Sequence, residues 1–457
     1  AVSDPGGAAS TQETSPAATP ESCEIAGFTE PVQVGEALRE MGQGESDFAA
    51  NEGYSCLVYQ DIGGVYSSDA IYIYVMDGKG RVVAERESSA NRLEYRPSVV
   101  AAPWGGFVVA YHWTKDSTVE QDHVVARTLG HQRRAVKRRV RWEAVGVHVP
   151  PLIICSVTNR CNLRCPGCYA AAHQRPQRPD LNVKQLEDIF REAAELGVSV
   201  IFLAGGAPFL REGVIEAAGE RPEIIFPVFT NGSLLDDGWI ERLARRRNVI
   251  PALSLEGFCE KTDARRGDGT YTRTLELVRR LAAADVFCAV SLTLTRDNFA
   301  ECTGDAFAAE LTEAGCRLFF YVEYVPVKAG TEDQVLGEEL RTRMIARLAE
   351  LQREHQALFI AFPGDEEPYE GCLSAGRGFL HIGPDGGLEP CPFSPYSDVD
   401  LGETSLREAL QSDFLEKVRA AHDRMTESEG GCALWTHRDW VQSLLRTEVD
   451  ETERERA

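Results

Sequence analysis

Between about residues 50 and 130, apolar and polar positions alternate in short runs broken by Gly and Asp, at 54–59, 71–75, 81–84, 106–113 and 124–127. A period of two sends successive side chains to opposite faces, so these runs are predicted strands of an all-β module over residues 23–130. GYSCLVYQD recurs as GGFVVAYHW and IYIYVMDGK as HVVARTLGH, each 52 residues on (Gly53 to Gly105, Ile71 to His123). That is the spacing of a propeller blade. Two copies do not close a propeller, which needs about four. The module is either a remnant or partner-completed propeller or a plain small antiparallel domain. Residues 1–22 are Ala, Ser, Thr, Pro and Gly with almost no large apolar side chain, and they are predicted to be disordered. They lack the basic start and apolar stretch of a signal peptide.

From residue 150 the pattern becomes strands alternating with helices. Apolar runs at 152–157, 199–204, 224–229, 249–255, 286–295 and 317–325 predict strands. Helix-periodic segments near 183–196, 212–220, 237–246, 271–284 and 303–314 separate them, and another follows at 338–355. The runs IIFPVF, VFCAVSLTL and LFFYVEYV are continuously hydrophobic, as strands buried on both faces must be. Six βα units in succession make an α/β fold, either a partial (β/α)6 TIM-like barrel or an open sheet.

The chain has 457 residues, enough for two or three domains, and 48 basic against 71 acidic residues give a net charge of −23. That charge argues against nucleic acid or an anionic membrane as the main partner, and no run of about 18 apolar residues offers a membrane span. The basic stretch HQRRAVKRRVRW is accordingly read as part of a solvated helical linker, residues 131–149. Thirteen cysteines, an odd number clustered at short spacings, point to a reducing compartment and to metal.

Sites in such folds sit at the carboxyl ends of the strands. After the first strand comes TNRCNLRCPGCYA, with Cys161, Cys165 and Cys168 in one loop; after the second, AGGAPFL; after the third, TNG; and the fourth ends in SLEG. Three thiolates within eight residues can converge on one metal centre, and soft sulfur selects zinc or an iron–sulfur cluster. Structural zinc takes four ligands, and this loop has no fourth. Three ligands leave a coordination position open, as a catalytic centre requires.

Over roughly residues 150–440 the chain resembles the radical S-adenosylmethionine (radical SAM) enzymes. C-x3-C-x2-C after the first barrel strand, with a glycine pair after the second (Gly205 and Gly206), carries the resemblance. It implies a [4Fe-4S] cluster on Cys161, Cys165 and Cys168 whose unique iron chelates SAM. It also implies reductive cleavage of SAM to methionine and a 5′-deoxyadenosyl radical that abstracts a substrate hydrogen. Tyr169, Thr230, Asn231, Ser254, Glu256 and Ser291 are the implied contacts to the nucleoside. Arg266 either meets the SAM carboxylate or caps its loop. Two departures stand out. Gly167 takes the place of an aromatic residue before the last cysteine. Ala207 takes the place of a glutamate that binds the SAM ammonium, a loss of about 1.5 to 3 kcal/mol, or roughly one to two decades of affinity.

Beyond the barrel, Cys372 and Cys391 bracket a predicted hairpin turning at GPDGG, and Cys432 follows in EGGCALW. Residues 358–457 resemble the SPASM and twitch extensions of radical SAM enzymes, which implies an auxiliary Fe-S cluster on Cys372, Cys391 and Cys432, with an open iron or a fourth ligand such as His437. The core barrel is then residues 150–357. Cys155, Cys259, Cys288, Cys302 and Cys316 are read as core.

The resemblance implies an oxidoreductase or maturase acting on a peptide or small molecule. It implies an external electron donor such as flavodoxin or ferredoxin, and a cytoplasmic, oxygen-poor setting. Two competing readings are a scaffold with a β-repeat recognition module and weak or no SAM turnover, and an electron-transfer protein that does not bind SAM.

Overall fold

The computed structural model describes the backbone of six strands between residues 46 and 114, and the chain over 122–445 apart from 173–177, 356, 363–370 and 426–431. Side chains are described from residue 131. The lead at 1–22 lies outside the described residues. The chain divides into two compact units, residues 1–102 with 106–121, and 103–105 with 122–457.

In the first unit, β1 (Ser46–Ala50), β2 (Tyr54–Asp61), β3 (Ala70–Asp77) and β4 (Val82–Glu87) form an antiparallel sheet in sequence order, and β5 (Leu93–Ala101) pairs with β6 (Phe107–Thr114). The register of β5 shifts between Tyr95 and Ser98. Pro97 sits in that shift, where its missing N–H does least harm to the ladder. Residues 124–127 are not a strand: they lie in the helix Asp122–Glu143. The Ala, Arg, Lys and Leu that follow favour helix, and once nucleated it propagates back through two valines. The first repeat pair is therefore strand against strand, whereas the second sets a strand against a helix.

Nor is the basic helix a solvated linker throughout. Ala135 is buried. Arg138 donates to Ala194 O, and Arg139 donates to Gly197 O and Ser199 Oγ. Both arginines thus satisfy carbonyls at the C-terminal end of the helix Val183–Leu196, where cations are favoured.

The second unit is built on one sheet. Its strands are β7 (Leu152–Thr158), β8 (Val200–Gly205), β9 (Phe226–Thr230), β10 (Val249–Leu255), β11 (Ala289–Leu294), β12 (Leu318–Glu323), β13 (Leu358–Phe362), β14 (Phe379–Ile382) and β15 (Leu388–Glu389). The order is β13-β12-β11-β10-β9-β8-β7-β14-β15, parallel except for β14 with β15. All six predicted strands form. A seventh, β13, adds to the far edge, and the GPDGG hairpin extends the same sheet beyond β7. Every residue of β7 is buried, as expected for a strand covered on both sides.

The helices follow the predicted periods. Val183–Leu196 starts at a capping box of Asn182 and Gln185 and stops at Gly197, whose φ of 101° suits glycine. Its face of Leu186, Ile189, Phe190 and Ala193 is buried, the i, i+3, i+4, i+7 pattern of a helix packed on a sheet. No helix among the described residues is long and apolar enough to cross a membrane.

Candidate active site

At the carboxyl ends of β7 to β12 a cavity of about 260 Å³ opens to solvent. Its wall near β7 is the cysteine loop. Thr158, the last residue of β7, donates through its hydroxyl to Asp180 (2.6 Å) and accepts from Arg160 N (3.1 Å). Cys161, Cys165 and Cys168 all line the cavity, with Cys161 exposed and the other two half-buried.

Three anchors hold this loop. From β8, Gly206 N donates to Thr158 O (2.7 Å) and Ala207 N to Arg160 O (2.8 Å). A Cβ on Gly206 would lie 2.1 Å from Arg160 O, and one on Gly205 2.4 Å from Thr158 O, so the glycine pair is dictated by backbone packed on backbone. From the turn after β9, Asn231 donates to Asn162 Oδ1 (2.9 Å), while Asn162 donates to Ser233 Oγ (2.8 Å). From the helix Cys259–Arg266, Arg265 Nε donates to Pro166 O (3.1 Å), between the second and third cysteines.

Arg265 is itself fixed by Glu256, with 2.6 Å between Nη1 and Oε2, and Arg266 binds the other oxygen, with 2.8 Å between Nε and Oε1. Glu256 is only 2% exposed, so its charge is tolerable only in this double pairing. Burial pushes the Cys165 thiol up, the Arg266 and Arg265 guanidinium groups oppose that, and the neighbouring Cys168 and Cys161 thiols reinforce it. The loop therefore brings its sulfurs into electrostatic contact beside two cations.

Among the described residues, the one set of three ligand-type groups with donor atoms within 4.8 Å of each other is Asp305, Glu354 and His355, where Asp305 is already bonded to Arg347. The cysteine sulfurs are spread wider. A single tetrahedral zinc with bonds of about 2.3 Å would draw them closer, so the donor set suits a polynuclear cluster held by thiolates.

The radical SAM superfamily profile matches residues 155–303, the segment that carries this loop and the strand ends facing it. That segment is a radical SAM domain. Curated relatives extend the likeness. The AdoMet-dependent heme synthase of Methanosarcina barkeri is 25% identical over 317 residues, 63% of this chain and 88% of that protein. The PqqA peptide cyclase of Gluconobacter oxydans is 23% identical over 306 residues, 62% and 86%. Among solved structures, Streptococcus suis SuiB bound to S-adenosylmethionine has a TM-score of 0.52 at 19% identity, covering 66% of this chain and 77% of its own, which is a likeness of fold. Radical SAM enzymes use a [4Fe-4S] cluster and SAM, and the open thiolate site described above fits the first.

In this radical SAM enzyme the remaining expected site residues divide. Tyr169, Thr230, Asn231, Ser254, Ser291 and Arg266 line the cavity with Gly205 and Gly206. Glu256 is not in the wall; it stands behind it and orients Arg265 and Arg266. Ala207 is buried and also outside the lining. Cys259, expected in the core, is exposed and bonded to Asp263, whereas Cys155, Cys288, Cys302 and Cys316 are buried. Burial pushes the Cys155 thiol up to about 12, as befits an inert core cysteine.

Cys372, Cys391 and Cys432 line the same cavity and are all buried. Burial, then a hydrogen bond with Cys432, then the proximity of Cys372 hold the Cys391 thiol well above its usual range. Three segments far apart in sequence thus deliver thiols to one place. Tyr169 and Phe393 join the two cysteine loops, their rings edge to face at 5.5 Å. His437 follows the helix Ala433–Thr436 and is not part of the wall.

Sequence reading missed Arg265, Tyr324 and the aromatic floor. Phe202 packs on Phe229 (5.2 Å) and Phe320 (5.4 Å) inside the barrel. Tyr324, just after β12, lies over Gly167: a Cβ there would be 2.8 Å from its hydroxyl. Gly167 also has φ of 67°. The aromatic group absent from position 167 is met by one arriving from β12. The apolar run LFFYVEYV signalled a strand there but not where its tyrosine would land.

Proposed function

We propose that this enzyme modifies a peptide by hydrogen abstraction, with Cys161, Cys165 and Cys168 holding the SAM-cleaving cluster and Cys372, Cys391 and Cys432 holding an auxiliary Fe-S cluster. The observation that carries the reading is that both cysteine trios line one cavity. Cys161, Cys165 and Cys168 would hold the cluster, which would supply the electron for reductive cleavage of SAM. The chain's own residues position the reactants. Arg265 and the glycine pair hold the loop, Thr230, Asn231, Ser254 and Ser291 offer polar contacts to a nucleoside at the strand ends, and Arg266 sets a cation beside them. Phe202, Phe229 and Phe320 close the floor and exclude water from a reactive radical.

A peptide substrate is supported by the curated relative named a PqqA peptide cyclase. The cavity opens to solvent, which admits a chain segment as well as a small molecule. An external one-electron donor such as flavodoxin or ferredoxin serves the first cluster in this reading.

The test is anaerobic incubation with SAM, dithionite and short peptides encoded beside the gene, followed by mass spectrometry. The expected result is a peptide whose mass changes in step with 5′-deoxyadenosine release. Release of 5′-deoxyadenosine that no peptide stimulates, with every peptide unchanged, would refute the peptide substrate.

A further inference from the structure

Three buried polar side chains take no part in the chemistry above. Ser156 Oγ lies 2.8 Å from His381 Nε2, and His381 Nδ1 lies 2.6 Å from Glu389 Oε2. They are 4%, 0% and 2% exposed. They sit on three adjacent strands, β7, β14 and β15, and so form one hydrogen-bonded chain across the sheet.

Such a chain is expensive to bury, and apolar residues of similar volume would pack there at no electrostatic cost. The best-attested use of a buried polar group is to fix register, and register needs fixing at this point. β14 and β15 are paired at only two positions, His381 with Glu389 and Ile382 with Leu388. A slip of one residue would displace β15 by about 3.4 Å and turn each of its side chains to the opposite face. Pro390 follows and has no N–H to continue the ladder. Glu389 is therefore the last side-chain tether before Cys391. At the other end of the chain, Ser156 lies five residues before Cys161 on β7. The hydrogen bonds link the strand that leads to the first cysteine trio with the strand that leads to the second.

We propose that Ser156, His381 and Glu389 form a register lock that fixes the height and face at which Cys391 enters the cavity, so that it can share a cluster with Cys372 and Cys432. His381 is thus a positioning residue. This inference rests on the reading that the second trio holds a cluster.

The test isolates that cluster. Full-length protein carrying Cys161→Ala, Cys165→Ala and Cys168→Ala is reconstituted anaerobically, and its iron content and the electron paramagnetic resonance signal of the reduced form are measured. Into this background go Glu389→Gln, which keeps an acceptor oxygen for His381, and the pair His381→Leu with Glu389→Leu, which removes both members of the buried pair together. The paired variant is expected to melt near the parent temperature yet lose most of the signal and its iron, while Glu389→Gln retains both. An unchanged signal in the paired variant, or its equal loss in Glu389→Gln, would overturn the lock while leaving the cluster reading intact. A parent protein without iron or signal would overturn the cluster reading, and the lock with it.

Discussion

At position 207 a buried methyl group stands where radical SAM enzymes commonly present a carboxylate. Among the described residues lining the cavity, the one carboxylate is Glu323, which already accepts from Arg341 Nε at 2.8 Å. Ala207→Glu is therefore expected to tighten SAM binding by roughly one to two decades. Calorimetric titration that finds unchanged affinity would show that this carboxylate is not what the site lacks. Position 167 carries the reverse constraint. Gly167→Phe meets both the Tyr324 hydroxyl and a φ of 67°, and is expected to cost about 1 to 3 kcal/mol. Adding Tyr324→Gly should recover part of that stability in thermal melts, because it removes the clash but not the backbone strain. No recovery would mean the two side chains do not compete for one space.

The cysteine loop is an element without secondary structure of its own, so its shape depends on what grips it. Arg265→Met removes the bond to Pro166 O and half of the pairing of buried Glu256. Breaking a buried ion pair costs about 3 to 5 kcal/mol, discounted here because the Arg265 side chain is 18% exposed. The expected outcome is lower iron occupancy with the fold retained by circular dichroism; full occupancy would show that the glycine and asparagine anchors suffice. Gly206→Ala should be worse, since its Cβ would meet a backbone oxygen that has no rotamer to move to. A stability loss of at least about 1 to 3 kcal/mol is expected in denaturant titration.

Much of this element level was legible in the sequence. Continuous apolar runs marked β7 to β12, and the loops after them marked the cavity residues. β13 escaped because LFIAF is a short run following directly on a long helix. The placement of β14 beside β7 escaped because it joins residues more than 200 positions apart, which no local period encodes. The same blindness hid His381, an ordinary strand residue until its two partners are seen. Glu256 was legible as a polar residue at a strand end and was expected to meet the nucleoside; its burial, its arginine partners and hence its place behind the wall depend on where the next helix turns. The basic helix misled because its arginines find carbonyl partners rather than water.

At the scale of the whole molecule, both cysteine trios belong to the second compact unit, and residues 106–121 belong to the first. Removing residues 1–121 is therefore expected to leave SAM cleavage intact, measured as 5′-deoxyadenosine released with dithionite. Loss of cleavage in a folded truncation would make the β module part of the catalytic machinery.

The proposed chemistry depends first on Cys161, Cys165 and Cys168 holding the cluster that cleaves SAM. Anaerobically reconstituted protein, incubated with SAM and dithionite, tests it by the yield of 5′-deoxyadenosine with and without alanine at those three positions. The expected result is iron-loaded, coloured protein that releases 5′-deoxyadenosine, and no release from the triple variant. Iron-free wild-type protein, or release that survives the triple substitution, would contradict it.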